Sequence, residues 1–502
     1  MADRRRRKWS FRIGAVLIGL LPLLVLEAAL RLAGLPAPDE LYDPWIAFEN
    51  VQPLFELDKA GERYSIAKSR RTFFAESGFH AHKDRDSFRI FCLGGSTVQG
   101  RPYQPPTAFS TWLELSLQAA EPSRQWEVIN CGGVSYASYR LVPILEEVLG
   151  HAPDLVILYT GHNEFLEDRS YGDYRQPSGL TRASQKAASH LRTVALLRRG
   201  WLALKGETKD SSQPQMLPGE VQARLDEEGG LALYQRDDDW HQQVIDHFGL
   251  NLRRMIHLAE EANVPLLLVN PVEDLRDSPP FKSTFDDRLL PEQLQQCRQL
   301  LDSATDDPSL QARQRLELLD QLLAIDPRRG DAIYLKARIL EAGGNTAGAH
   351  ELFVRAKDED LCPLRMLEPM HDLLLEIAQQ QEVPLVDVRR EFTRRMSPGI
   401  VGRPQLVDHV HPSLEGHQWI ADHLVRKMAA MDMVRLEEGW EERRGERERE
   451  HLATLDEVYF AQGRKRLEGL RMWTQGLSGR IDLLIERDRQ SGDNLQPRKE
   501  KP

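Results

Sequence analysis

Residues 88–97 read FRIFCLGGST, and this stretch decides the fold. A short, β-rich apolar run leads directly into two glycines, a serine and a threonine. Similar apolar runs follow at residues 126–130, 155–159, 264–270 and 383–388. Runs that are apolar throughout are typical of strands buried on both faces. Helix-like stretches separate these runs, so the pattern predicts an α/β fold with a doubly wound, five-stranded parallel sheet.

Polar residues follow the carboxyl ends of the predicted strands, where a doubly wound sheet binds its ligands. Ser96 follows the first strand, Asn163 the third, and Asp408 and His411 the fifth. A serine becomes a nucleophile when a base lies nearby, and an Asp–His pair on one loop supplies that base. A side-chain amide such as that of Asn163 can donate to an oxyanion. Alone, the turn at Ser96 also fits a plain turn or a phosphate loop, and Asn163 fits a helix cap. Together with the Asp408–His411 pair, they predict a site with a serine nucleophile.

Composition narrows the remaining classes of function. The formal net charge of −11 over 502 residues does not favour nucleic acid as a partner. Four cysteines do not make a disulfide framework, and no Cys/His cluster has zinc spacing, so neither a structural zinc nor a cofactor is predicted. A metal at the motif Asp408-His409-Val410-His411 lacks further ligands nearby. His409 is interpreted as structural or exposed.

The same motifs resemble those of the SGNH/GDSL hydrolase superfamily. Gly94-Gly95-Ser96 is similar to its first block, Gly161-His162-Asn163 to its third, and the stretch from Asp408 to His411 to its DxxH block. The resemblance covers about residues 86–435, less the insertions. It implies that Ser96 attacks an ester, that His411 is the base, and that Asp408 orients His411. It also implies an oxyanion hole made of the Ser96 and Ser135 amides and the Asn163 side chain.

The sequence departs from the family pattern at two positions. The usual GDS is GGS here, so the acidic residue beside the nucleophile is missing. In the second block, the glycine that usually donates its amide falls on Ser135 when counted from Asn130. A backbone amide does not require glycine, and Gly132 is the alternative donor.

The N-terminus has the pattern of a membrane anchor. Residues 1–12 form a basic flank that includes the cluster from Arg4 to Lys8, and residues 13–34 form an apolar segment interpreted as a transmembrane signal-anchor. Basic flanks stay in the cytoplasm, so the catalytic domain is expected outside it, in the periplasm or extracellular space. A cleaved signal peptide is the alternative, although no clean cleavage site follows.

The remaining chain divides by composition. Residues 35–85 are interpreted as a connector, residues 86–280 and 381–435 as the hydrolase-like domain, and residues 436–502 as a charged helical tail without an assigned function.

Residues 281–380 are predicted to form an all-α, tetratricopeptide-like insertion. The motivation is a 34-residue offset that relates Leu319 and Leu322 to Phe353 and Ala356. Arg315 departs from this pattern, because it stands 34 residues before Ala349 where a small residue is expected. An ordinary helical insertion is the alternative. A repeat-like insertion makes a protein partner possible.

These observations predict a membrane-tethered serine esterase that acts on an acylated small molecule or glycan, or on envelope esters. Two alternatives stay open on sequence alone. One is an O-acyltransferase that uses the same residues to move the acyl group onto a sugar. The other is a non-catalytic, membrane-tethered interaction scaffold.

Overall fold

The computed structural model describes residues 22, 25–30, 43–171, 193, 214–396 and 399–474. The chain divides into two compact units. The first comprises Met1–Asn50, Arg169–Gly219 and Leu250–His257, and the second comprises the rest. In the first unit, strand β1 (Ile46–Phe48) pairs in parallel with strand β8 (Gln215–Leu217). All residues of the predicted site belong to the second unit.

The second unit is built around a five-stranded sheet. Its strands are β5 (Ser87–Gly94), β6 (Gln125–Gly132), β7 (Leu155–Tyr159), β9 (Leu266–Asn270) and β10 (Leu385–Asp387). Their order is β10-β9-β7-β5-β6, and every pair is parallel. The predicted parallel sheet is therefore confirmed. The fifth strand is shorter than predicted, because the side chain of Asp387 accepts a hydrogen bond from the Arg390 amide at 3.2 Å and starts a helix.

Alternate residues of each strand face opposite sides of the sheet, and both sides are covered. On one side, Ile90, Ile157 and Val269 belong to a core shared with Trp112 and Leu424 from two flanking helices. The alternate residues of these strands, which face the other side of the sheet, are buried as well. Burial on both faces explains why the strands are apolar throughout instead of alternating with polar residues.

A small antiparallel sheet precedes the main one and lies within the predicted connector. It consists of β2 (Phe55–Leu57), β3 (Arg63–Ile66) and β4 (Gly78–His80) in that order. Its Phe55 and Phe79 pack edge-on against Phe91 of β5, with ring centroids 6.2 and 5.2 Å away. The small sheet thus covers part of the second face of the main sheet.

Helices separate the strands and flank the sheet. They are α1 (Ser96–Gln99), α2 (Phe109–Ala120), α3 (Ser138–Leu149), α4 (Asp238–Glu261), α5 (Pro291–Asp306), α6 (Ala312–Ile325), α7 (Gly330–Ala342), α8 (Thr346–Asp358), α9 (Glu368–Gln380), α10 (Val388–Arg395), α11 (Leu414–Ala430), α12 (Trp440–Ala453) and α13 (Glu457–Thr474). None of the described helices combines the length and the apolar character needed to cross a bilayer. Apart from residues 22 and 25–30, the predicted anchor at 13–34 lies outside the described residues, as do residues 475–502 of the tail.

Helices α5 to α9 occupy the crossover between β9 and β10, where the helical insertion is predicted. The residues of the 34-residue pattern are buried: Leu319, Leu322, Ala349, Phe353 and Ala356. Arg315, which departs from the pattern, donates to the carbonyls of Ala304 and Asp307 at 2.7 and 2.6 Å. Its guanidinium therefore satisfies backbone acceptors at the end of α5. The assignment to the tetratricopeptide type remains a prediction.

Buried charges tie this insertion to the sheet. Glu273, just after β9, lies 3.0 Å from Nζ of Lys357 on α8, 3.3 Å from Nε2 of His371 on α9, and 3.2 Å from Nε of Arg389 on α10. Glu273 and Lys357 are almost completely buried. Burial alone would raise the pKa of Glu273, but Arg389, Lys357 and His371 outweigh it and hold that pKa well below its ordinary value.

Glu273→Gln is expected to lower the free energy of unfolding at neutral pH by about 3 kcal/mol, because it leaves Lys357 buried without its nearest carboxylate. The folded-state pKa of Glu273 is depressed, so its stabilisation is present above the unfolded-state pKa and is lost as the pH falls toward the folded-state pKa. The difference between wild type and variant should therefore shrink in acid. Urea titrations at several pH values measure it, and Glu317→Gln, in an exposed ion pair with Arg313, is the matched control. Equal losses in both variants would contradict the argument.

Candidate active site

Ser96 is the first residue of α1 and follows Gly94, the last residue of β5, and Gly95, the N-cap residue of the helix. A Cβ on Gly94 would lie 2.1 Å from the carbonyl oxygen of Tyr159, on the neighbouring strand. A Cβ on Gly95 would lie 2.5 Å from Nδ2 of Asn163. A side chain therefore has no room at Gly94, which abuts the backbone of Tyr159, whereas a side chain at Gly95 would require Asn163 to shift. The departure from GDS to GGS places a residue without a side chain next to Ser96 and directly against Asn163.

His411 and Asp408 meet Ser96 from the loop before α11. Nε2 of His411 lies 2.8 Å from Oγ of Ser96, and Nδ1 of His411 lies 2.8 Å from Oδ2 of Asp408. With Nδ1–H donating to the carboxylate, Nε2 is free to accept the serine proton. The end of this loop is fixed by a helix cap, because the Ser413 hydroxyl accepts a hydrogen bond from the Gly416 amide at 3.1 Å at the start of α11. The structure thus brings these three predicted residues together.

Asp408 is held as a carboxylate. It is buried, and its Oδ1 accepts hydrogen bonds from the amides of Val410 and His411, both at 2.9 Å. Burial would raise the pKa of Asp408, but the charge and hydrogen bond of His411, the nearby His409 and the Val410 amide together hold that pKa well below its ordinary value. An ionised Asp408 fixes the tautomer of His411 and stabilises the imidazolium that forms when His411 takes a proton.

His409 lies on the same loop but does not reach Ser96. It is buried, with Nδ1 3.6 Å from Oδ1 of Asp408, and its ring packs edge-on against Phe281 at 5.0 Å. Burial lowers the pKa of His409 to about 4. The His409 carbonyl accepts a hydrogen bond from the Asp274 amide at 2.9 Å. His409 therefore supports the loop by packing, as the structural interpretation predicts.

The predicted oxyanion donors Ser135 and Asn163 follow β6 and β7, the two strands that pair with β5 on either side. Nδ2 of Asn163 donates to the Tyr136 carbonyl at 3.0 Å, which uses one of its two N–H groups and leaves the second for a substrate. Ser135 has a φ of 64°, in the left-handed region that favours glycine. This backbone conformation explains why relatives place glycine there. The alternative donor is already engaged, because the Gly132 amide donates to Oδ1 of Asn130 at 3.0 Å.

Several supporting residues were not singled out from the sequence. Both oxygens of the buried Glu164 accept from Ser138, from its amide at 2.7 Å and its hydroxyl at 2.9 Å, and so link the third block to the start of α3. His162 is buried and accepts the Met366 amide at its Nδ1, at 3.2 Å. Burial lowers the pKa of His162 to about 3. Glu164 directly follows the GxN motif, and this position is the sequence signal by which it could have been identified.

Asn163→Ala is expected to lower kcat for ester hydrolysis by about 10²–10³-fold while changing KM little. As the oxyanion donor that the motifs predict, Asn163 would contact charge that develops only in the transition state, and removal of one such donor has this effect. Steady-state kinetics with a short-chain ester measures both constants. A rise in KM with kcat unchanged would assign Asn163 to substrate binding instead.

No protein-family model and no curated protein matches the chain. Several solved structures do match. A lipolytic protein of the G-D-S-L family from Desulfitobacterium hafniense is 10% identical, with 68% of this chain and 99% of that chain covered and a TM-score of 0.29. An acetylxylan esterase from Geobacillus stearothermophilus is 13% identical, with 68% and 94% covered and a TM-score of 0.29. A lipase/acylhydrolase from Enterococcus faecalis is 12% identical, with 70% and 99% covered and a TM-score of 0.31.

Proposed function

We propose that this chain is a serine-dependent ester hydrolase of the SGNH/GDSL type. The observation that carries the proposal is the continuous hydrogen-bonded chain from Asp408 through His411 to Ser96, at 2.8 Å on each side of the imidazole. A serine alcohol is a weak nucleophile without a base. An oriented histidine at hydrogen-bond distance supplies that base, and Asn163 stands beside the serine as an oxyanion donor.

In the proposed reaction, Oγ of Ser96 attacks the ester carbonyl carbon while Nε2 of His411 takes its proton. The resulting oxyanion is held by the amides of Ser96 and Ser135 and by Nδ2 of Asn163. Collapse of this intermediate breaks the bond to the alcohol, which leaves with the proton from His411. A water molecule, deprotonated by His411, then attacks the acyl group on Ser96. The second collapse releases the carboxylic acid and restores the serine.

Labelling with a fluorophosphonate probe tests the proposal directly. The reagent modifies activated serines, so wild-type protein should be labelled and peptide mapping should place the label on Ser96. Ser309→Ala, at an exposed serine far along the chain in the helical insertion, should be labelled as the wild type is. Absence of label on folded wild-type protein would refute the proposed nucleophile and leave the scaffold interpretation.

We further propose that the enzyme is tethered to a membrane and works outside the cytoplasm on acylated glycans or other envelope esters. The support is the basic cluster from Arg4 to Lys8 followed by an apolar segment at residues 13–34. A reporter fused after residue 435 should be active only if it functions outside the cytoplasm. A signal from a reporter that works only in the cytoplasm would refute this orientation.

A further inference from the structure

The C-terminal helix α13 packs against the segment that follows the nucleophile. The hydroxyl of Tyr459 lies 2.7 Å from Oγ1 of Thr107, and its ring stacks near Tyr103 with centroids 6.0 Å apart. One turn later, a Cβ on Gly463 would lie 2.1 Å from the ring of Tyr103. Gly463 is therefore the residue that allows the helix to lie directly on this segment.

The same helix continues toward the loop that carries the acid–base pair. Arg471 donates from Nη2 to the carbonyl of Val407 at 3.2 Å, and Val407 immediately precedes Asp408. The indole Nε1 of Trp473 donates to Oδ1 of Asp226 at 2.7 Å. Helix α13 thus runs along the rim of the active site, from the residues after Ser96 to the residue before Asp408.

Two arginines belong to the elements that meet where Gly463 of α13 lies on Tyr103. Arg101 is half-buried five residues after Ser96, its amide donates to the Ser96 carbonyl at 3.1 Å, and its Nε donates to Oε1 of Gln99 at 2.7 Å. Arg466 is also half-buried and follows Gly463 by three positions, which places it on the helix face that packs against the domain. Burial and the positive charge of Arg466 both lower the pKa of Arg101.

Neither guanidinium has a carboxylate within ion-pair distance among the residues that the structure describes. Arg464, two residues earlier on the same helix, is different, because it is mostly exposed and pairs with Glu457. Bringing two cations together without a counter-charge costs free energy, and that cost is recovered when an anion binds between them. Guanidinium groups match the geometry of carboxylates and phosphates, which they bind through two parallel hydrogen bonds.

We propose that Arg101 and Arg466 form an anion-binding subsite beside Ser96, which receives a carboxylate or phosphate group of the ester substrate. This inference rests on the proposed function, because it names the class of ester that the same active site prefers. In such a substrate, the charged group lies at a fixed distance from the acyl bond. Binding it therefore raises the local concentration of anionic esters at Ser96 and positions their acyl group for attack.

The test compares esters that transfer the same acetyl group but differ in charge. The substrates are 4-acetoxybenzoate, its neutral methyl ester, and 4-acetoxyphenyl phosphate. For the wild type, kcat/KM should be higher for an anionic ester than for the neutral one, and the preference should fall as salt is added. Arg466→Gln should lower the anionic-to-neutral ratio about tenfold, as expected for loss of a charge-assisted hydrogen bond. Arg466→Lys should retain part of the preference, and Arg464→Gln is the control that should keep the ratio of the wild type.

The outcomes separate the subsite from the proposed function. Hydrolysis of all three esters without an anionic preference, or equal ratios in wild type and Arg466→Gln, would overturn the subsite and leave the hydrolase intact. Failure to cleave any ester, together with no probe on Ser96, would overturn both. A preference for only one of the two anions would support the subsite and identify the group it takes. Because Arg466 lies on a surface helix, its variants test the subsite even where Arg101→Gln does not fold.

Discussion

Ser96→Ala and His411→Ala are each expected to lower kcat for ester hydrolysis by on the order of 10⁶-fold, and the double variant is expected to lose little more. The two side chains act as one unit, because the proton that leaves Oγ of Ser96 moves to Nε2 of His411 across 2.8 Å. Without the serine there is no nucleophile to deprotonate, and without the histidine the serine is not activated. Once either residue is replaced, the other no longer contributes to kcat, so the second substitution lowers kcat little further.

Initial rates with a short-chain p-nitrophenyl ester measure this effect, with thermal unfolding as the check that each variant folds. His82→Ala and Ser309→Ala change exposed residues of the same types and should keep the rate of the wild type. Near-full activity of Ser96→Ala would refute the proposed reaction. Independent, additive losses at the two sites would show that the residues do not act on the same proton.

Asp408→Asn is expected to lower kcat by on the order of 10⁴-fold with little loss of fold stability. The amide oxygen can still accept from the Val410 and His411 amides, as Oδ1 of Asp408 does at 2.9 Å. The amide NH₂ then faces Nδ1 of His411, which reverses the tautomer of the imidazole. Nε2 then carries a proton and cannot take one from Ser96.

The same ester assay and a thermal melt measure this prediction. Asp302→Asn, at an exposed position in the helical insertion, is the matched control for loss of one negative charge. A loss of activity that follows only a loss of folded protein would assign Asp408 to structure. A small loss in a well-folded variant would mean that His411 is oriented by other contacts.

The sequence predicts the large sheet because its strands are continuous apolar runs with turn residues at their ends. Ser96, Asn163, Asp408 and His411 were identifiable because each follows such a run on a short, distinctive motif. Strand β10 was recognised, but its ends were misplaced, since Asp387 serves both as the last strand residue and as the cap of α10. Sequence propensity assigns a residue to one element only, so it cannot locate a boundary at which the same residue belongs to a strand and caps a helix.

Other features depend on contacts that are distant in sequence. The strands of the small sheet are three or four residues long, too short for hydrophobic alternation to be recognised. Helix α13 has the composition of a solvated helix, and contacts such as those of Tyr459 and Trp473 show that it packs on the domain that holds Ser96. The buried pair of Glu273 and Lys357 joins residues 84 positions apart, and no local pattern announces it.

The position of the insertion determines how late in its synthesis the protein can become active. Ser96 and His411 are separated by 315 residues, with the helices α5 to α9 between them. At about 5–20 residues per second, a ribosome needs roughly 15–60 s to travel from one to the other. A nascent chain therefore carries its serine in an inert form until nearly all of the chain described by the structure has been made. Prematurely terminated chains that end inside the insertion consequently lack His411 and should not hydrolyse esters.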